Sequence, residues 1–245
     1  MLFRVWGGSP SQINPSSLPL GLWEQSFPNA SPWNGTASTG NSGSVHFQTL
    51  GTIPSAGATL NGFATASFNG TTQALSSGTA TFSSIIDPGA VGSVASFSGW
   101  ILVKPTVVTA TYNLYTDSGT IGTIACMFGV QIVSSNASIT DANNKTATRA
   151  ISAGAWSLIT FRWDSANLQI GVNENPGAAG GASTIADTAT PISDTSTIAR
   201  FGTSSANTNF YSGLLEEIGV TGVALTNTQF TKIRAWLSAR YALSL

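Results

Sequence analysis

At 245 residues, the chain can form one large β domain or two small ones. Only 8% of its residues are charged, its net charge is −1 and it has no Lys/Arg run, which argues against a protein that tracks nucleic-acid phosphates. A single cysteine, Cys126, excludes an intrachain disulfide, and a single histidine, His46, argues against His-based metal or general-base sites.

Hydrophobic residues make up 42%, enough for a sizeable core, and 26 glycines supply turns. Polarity comes mainly from Ser, Thr, Asn and Gln. Two readings stay open: an ordinary turn-rich β protein, or a surface built to touch neighbours at high density. No apolar run approaches the ~18 residues of a membrane span. MLFRVWGGSP lacks a secretory apolar region, so synthesis in a cytosol without a signal peptide is expected.

Residues 1–16 read as an N-terminal arm. Its Phe3, Val5 and Trp6 need cover, from the domain or from another subunit, and are the candidate partner contacts. Leu18 to Trp23 is a strand between prolines. Residues 28–44 are a loop by composition. Within it Trp33, with Asn34, is either a plug over the core edge or a stacking surface for a sugar. His46 lies in a strand, Val45-His46-Phe47. Phe63–Phe68 and Thr72–Leu75 flank Asn69-Gly70, a type I′ hairpin signal.

Further strands are expected at Thr79–Ile86, Ala95–Val103, Thr109–Tyr115 and Ile121–Val133, the last central because it is nearly all apolar. Thr146–Ile151 leads to the most informative stretch, GAWSLITFRWDSANLQIGVN, residues 154–173. Trp156, Leu158, Thr160 and Arg162 alternate with Ser157, Ile159, Phe161 and Trp163, so both strand faces need cover. Asp164 to Asn167 is a turn, and Leu168, Ile170 and Val172 share one face of the return strand. Residues 174–196 are weakly patterned and read as a mobile or partner-ordered loop. Strands follow at Ser196–Phe201 and Gly213–Thr221, with a polar loop between them.

A helix is expected over 226–241. Thr226 and Gln229 form a capping box, and Phe230, Ile233, Leu237 and Tyr241 form an apolar stripe. Lys232, Arg234 and Arg240 then read as a solvated face.

With these residues placed, the chain resembles the concanavalin A-like lectin/glucanase jelly rolls, in particular laminin G-like modules of phage and bacterial surface proteins. The likeness rests on the 154–173 hairpin, Leu18 to Trp23, Leu60-Asn61-Gly62-Phe63 through Asn69-Gly70-Thr71, FSGWILVKP at 97–105, and GLLEEIGVTGVAL at 213–225 before the helix. It covers most of residues 15–245, but not 107–150. It implies an all-β, two-sheet antiparallel jelly-roll sandwich over 17–245 with one C-terminal amphipathic helix.

Glycosidases of that superfamily carry alternating carboxylates on one strand. Here Glu216 and Glu217 are adjacent and expected on opposite faces, with Glu217 structural by resemblance. The remaining acids, such as Asp141 and Asp187, stand alone. That disfavours the calcium sites of some relatives but leaves carbonyl-rich sites open. The expectation is therefore a non-enzymatic bacteriophage virion component without cofactor, found in the virion, forming a homo-oligomer and packing on other virion proteins. Neither nucleic acid nor membrane is an expected partner. A carbohydrate-binding adhesin module is the alternative. Host-glycan contacts are expected from Trp33, Asn34, Asn207, Asn209 and Tyr211, with Tyr112 and Tyr115 in weaker support.

Overall fold

The computed structural model describes Leu18 and residues 22–25, 48–81, 96–116, 128–189, 198–204 and 206–245. Trp33, Asn34, His46, Cys126 and the arm residues Phe3, Val5 and Trp6 lie outside this set.

The strands run in chain order: β1 Leu22–Gln25, β2 Gln48–Gly51, β3 Ser55–Ala56, β4 Ala66–Asn69, β5 Gln73–Thr81, β6 Phe97–Pro105, β7 Tyr112–Thr116 and β8 Phe128–Val133. Then come β9 Asn136–Asp141, β10 Thr146–Ala150, β11 Ser157–Trp163, β12 Asn167–Val172, β13 Thr184–Ala186, β14 Ile198–Phe201 and β15 Ser212–Thr221. One helix, α1 (Asn227–Tyr241), follows.

These strands form two antiparallel sheets, as expected of a jelly-roll sandwich. One runs β13-β12-β11-β6-β15-β4-β3, with β1 added beside β15. The other runs β10-β9-β8-β7-β14-β5-β2. Strand β15 pairs with β6 along one edge; its other edge is shared, β4 taking Ser212–Leu215 and β1 taking Glu217–Val220.

The alternation in β11 explains the layering. Ile159, Phe161 and Trp163 enter the core between the sheets, with Phe97, Ile101 and Val103 of β6. Phe97 stacks on Phe128 from the opposite sheet at 4.1 Å, and Phe128 lies 5.5 Å from Phe161. Such ring pairs add about 0.5–1.5 kcal/mol beyond area burial. Leu158 points outward, with Trp100 and Leu102 of β6, into a second cluster under α1. Phe230, Ile233, Leu237 and Tyr241 fill that cluster from the helix, each side chain contributing about 1.5–3 kcal/mol of burial. The capping box forms as its sequence requires: Gln229 N–H donates to Thr226 Oγ1 and Thr226 N–H to Gln229 Oε1.

Four expectations change. Asn69-Gly70 does not close a hairpin: β4 and β5 belong to different sheets, so the turn carries the chain across the sandwich. Gly70 has φ +77° while Asn69 is not in the left-handed region, whereas a type I′ turn needs positive φ at both. Asn69 Oδ1 instead accepts the N–H groups of Thr71 and Thr72. Second, β9 had no counterpart in the sequence reading. Third, residues 174–189 are tied down: Gly181–Ser183 makes a 3-10 turn and β13 pairs with β12. Fourth, the basic residues of α1 are not simply solvated. Arg234 donates to the Asn173 carbonyl at 3.0 Å, and Arg240 lies over the Phe63 ring at 4.1 Å.

Candidate functional site

At one end of the sandwich, β2, the sheet-crossing turn and the 203–211 loop enclose a cleft of about 450 Å³. It is lined by Leu50, Gly51, Thr52, Thr71, Thr72, Asn207 and Phe210.

Each wall is positioned by local backbone chemistry. Gly51 has φ +77°, which turns the chain out of β2 so that the Thr52 N–H reaches the Thr72 carbonyl at 3.3 Å. The Asn69 side chain holds the crossing turn and donates to the Thr72 hydroxyl at 3.0 Å, which leaves that hydroxyl's proton available. On the far wall, Asn207 and Asn209 both adopt positive φ, a conformation asparagine tolerates. The Ser204 N–H donates to the Thr208 carbonyl, and Asn113 of β7 donates its N–H to the Asn209 carbonyl.

The loop ends on two aromatic residues with opposite fates. Tyr211 is fully buried, packed beside Phe68, Phe201 and Tyr112, and its hydroxyl donates to the Leu214 carbonyl at 3.0 Å. Burial pushes its phenol well above the usual tyrosine range. Phe210, its neighbour, is only half-buried and faces the cleft. Tyr211 thus anchors the loop and Phe210 offers the ring.

The structure therefore redistributes the expected ligand contacts. Asn207 lines the cleft. Asn209 is exposed on the same loop but does not line it. Tyr211 and Tyr115 each have 0% exposure, so neither offers a ring face to a ligand. Tyr115 is committed to the core beside Phe128, and Tyr112 is half-buried with its edge against Tyr211. Leu50, Thr52, Thr71, Thr72 and Phe210 are not among the expected contacts. The one available signal was the pair Phe210-Tyr211, because adjacent aromatics in extended chain face opposite ways.

Chemically, the cleft combines one aromatic ring, one carboxamide and three hydroxyls, with no charged side chain in its lining. Among the described residues the Asn207 carboxamide and the Thr52 and Thr71 hydroxyls make no hydrogen bond.

The paired glutamates lie elsewhere, beneath α1. The register of β15 against β6 shifts between Leu215 and Glu217, a bulge that breaks the alternation expected of two adjacent residues. Both carboxyl groups are buried toward Tyr241. Glu217 accepts from Trp100 Nε1 at 3.2 Å and from the Tyr241 hydroxyl at 2.8 Å. Glu216 has no hydrogen-bond partner, and burial, then the Glu217 charge, push its carboxyl up to about 9. With 0% exposure, neither glutamate is open to a substrate.

No protein-family model and no curated protein sequence matches the chain. Solved structures do. Domain 4 of AbnA, an extracellular arabinanase from Geobacillus stearothermophilus in complex with arabinotriose, aligns with TM-score 0.53 and 14% identity over 78% of this chain and 88% of that one. The botulinum neurotoxin serotype D binding domain aligns with TM-score 0.58 and 10% identity over 89% of this chain and 51% of that one. A botulinum neurotoxin type C structure, whose cell entry depends on two ganglioside molecules, gives TM-score 0.53 and 10% identity over 79% and 47%. The chain thus spans about half the length of the toxin domains it matches. At these identities the likeness is one of fold: the protein is a jelly-roll β-sandwich.

Proposed function

We propose that the protein is a non-enzymatic carbohydrate-binding sandwich that takes a neutral sugar in the 50–52/71–72/207–210 cleft. The observation that carries this is the convergence there of a half-exposed phenylalanine, an uncommitted carboxamide and threonine hydroxyls, without any charge. A sugar ring offers C–H faces to an aromatic ring and hydroxyls to amides. Phe210 is the platform, and Asn207 with Thr71 and Thr72 fixes orientation. Two fold neighbours bind arabinotriose, an oligosaccharide, and gangliosides, which carry sugar headgroups, and these support the class.

The setting we favour is a bacteriophage virion, as a decoration, fibre or tail-associated subunit. Its support is the resemblance to laminin G-like modules of phage surface proteins, together with a surface of only 8% charged residues suited to close packing. An adhesin module would use the same cleft.

The test is a glycan array that includes arabinotriose and acidic ganglioside headgroups, read with wild type, Phe210→Ala and Asn207→Ala. The expected hits are uncharged oligosaccharides, with affinity reduced at least roughly tenfold in each variant, as loss of one stacking or hydrogen-bonding contact of ~1.4 kcal/mol implies. Equal binding by all three proteins removes the cleft from the site.

A further inference from the structure

Asparagine followed by glycine occurs three times, at 34–35, 61–62 and 69–70, and the last two pairs lie among the described residues. Such a pair is open to a reaction of its own: the glycine amide nitrogen can attack the asparagine side-chain carbonyl, because no Cβ shields it. The two described pairs stand in opposite circumstances.

Asn69 is committed on every side. Its Oδ1 accepts from the Thr71 and Thr72 N–H groups at 2.9 and 3.0 Å, and its Nδ2 donates to the Thr72 hydroxyl at 3.0 Å. The Gly70 N–H donates to the Tyr211 carbonyl at 3.0 Å, and Gly70 lies so near Ser212 that a Cβ there would come within 3.0 Å of it.

Asn61 and Gly62 instead form the two-residue turn of an isolated Leu60–Phe63 pair, which exchanges backbone hydrogen bonds of 2.9 and 3.0 Å. Their φ values, 49° and 84°, are those of a type I′ turn. Both residues are exposed, and nothing stands within 4 Å of where a Gly62 Cβ would be. Among the described residues the Gly62 N–H makes no hydrogen bond. The Asn61 side chain has one bond: Nδ2 donates at 2.7 Å to the Arg240 carbonyl, in the last turn of α1, where helix carbonyls lack intrahelical partners. Phe63, leaving the turn, sets its ring edge-on to Tyr241 at 5.4 Å and beneath the Arg240 guanidinium at 4.1 Å. The turn thus clamps the end of the helix to the sandwich.

We propose that Asn61 is a site of spontaneous modification, where attack by the Gly62 amide converts the carboxamide to a carboxylate and unclamps the end of α1. Hydroxide removes the Gly62 amide proton, and the nitrogen bonds to Asn61 Cγ. Nδ2 departs as ammonia with a proton from water, which leaves a cyclic imide. Water then opens that ring at either carbonyl, giving aspartate or its β-linked isomer. The net change is one water taken up and one ammonia released. Neither product can donate to the Arg240 carbonyl, and the new carboxylate adds negative charge at the negative end of the helix dipole. The β-linked product also lengthens the backbone by a methylene, which a two-residue turn cannot absorb while keeping the Leu60–Phe63 register.

The full chain is aged in heavy-oxygen water at mildly alkaline pH, folded and in urea. Chymotrypsin then separates residue 61 from residue 69 at Phe63 and Phe68, and mass spectrometry reads the label. In the folded protein, label should enter residue 61 at least roughly tenfold faster than residue 69, whose hydrogen bonds must break first. In urea the two rates should converge. Ion exchange isolates the aged fraction by its added negative charge. Its melting temperature should lie about 2–4 °C below that of fresh protein, as loss of one hydrogen bond implies. Asn61→Gly suits the positive φ and should lose no melting temperature on ageing, which separates residue 61 from Asn34. Equal rates in the folded protein, faster labelling at residue 69, or a fraction modified at residue 61 that melts like fresh protein would overturn the proposal.

Discussion

Glu216 shows how a single side chain sets a pH dependence. Its folded value is pushed up to about 9, against 4.5 in an unfolded chain. The folded state therefore holds a proton that the unfolded state releases, and stability falls as pH rises through this window. The groups facing it are Glu217 on its own strand, and Arg240 and Tyr241 on α1. Replacing Glu216 with Gln removes the titration. The melting temperature of Glu216→Gln should gain on the wild type steadily between about pH 5 and pH 9, as read by circular dichroism. Parallel profiles would show that this carboxyl ionises freely. The pairing of Glu217 with Trp100 and Tyr241 agrees with the structural role that resemblance implied, but the bulge that buries Glu216 beside it has no residue signature. The same limit applies at the cleft. Phe210-Tyr211 and Asn207 were readable as loop chemistry, but which aromatic faced outward depended on Phe68, a distant partner that only the fold supplies.

At the scale of elements, local signals held wherever the pattern was self-contained. The β11–β12 hairpin follows its alternation, and Asp164 Oδ1 accepts the turn N–H groups of Ala166 and Asn167 as an Asp-led turn requires. The α1 capping box and apolar stripe formed as written. Signals failed where pairing decided the outcome. Asn69-Gly70 looks like a hairpin because its flanks have β composition, yet composition cannot say that two strands belong to different sheets. Segment 174–189 looked loose because Gly and Ala carry little periodicity, yet β12 captures part of it as an edge strand. The helix also ends on an avoidable strain: Ala242 sits at φ 54° with its N–H bonded to the Ser238 carbonyl. Glycine takes that conformation without Cβ crowding, so Ala242→Gly should stabilise the protein by about 1 kcal/mol. Urea unfolding would show the gain as a higher midpoint at constant slope. A lower midpoint would mean that added unfolded-state freedom outweighs the relief.

The whole molecule combines few charges with 42% hydrophobic composition. Weak self-repulsion tolerates dense packing, as the virion setting proposed above would need. If the proposed virion setting holds, removal of residues 1–8 should abolish incorporation into particles while leaving the melting transition intact. Mass spectrometry of purified particles, with the truncated chain as competitor, reads this directly. Normal loading would exclude the arm as the contact. The placement of β15 bears on how the protein is produced. Strand β15 lies between β6 and the β4/β1 edge, yet it emerges from the ribosome more than a hundred residues after β6. At roughly 5–20 residues per second, the β6 edge and its aromatic core wait on the order of ten seconds for their partner. A nascent chain with so little charge has weak means of repelling its neighbours during that interval. Yield in a heterologous host should therefore depend on chaperone capacity and slow synthesis more than on the stability of the finished fold.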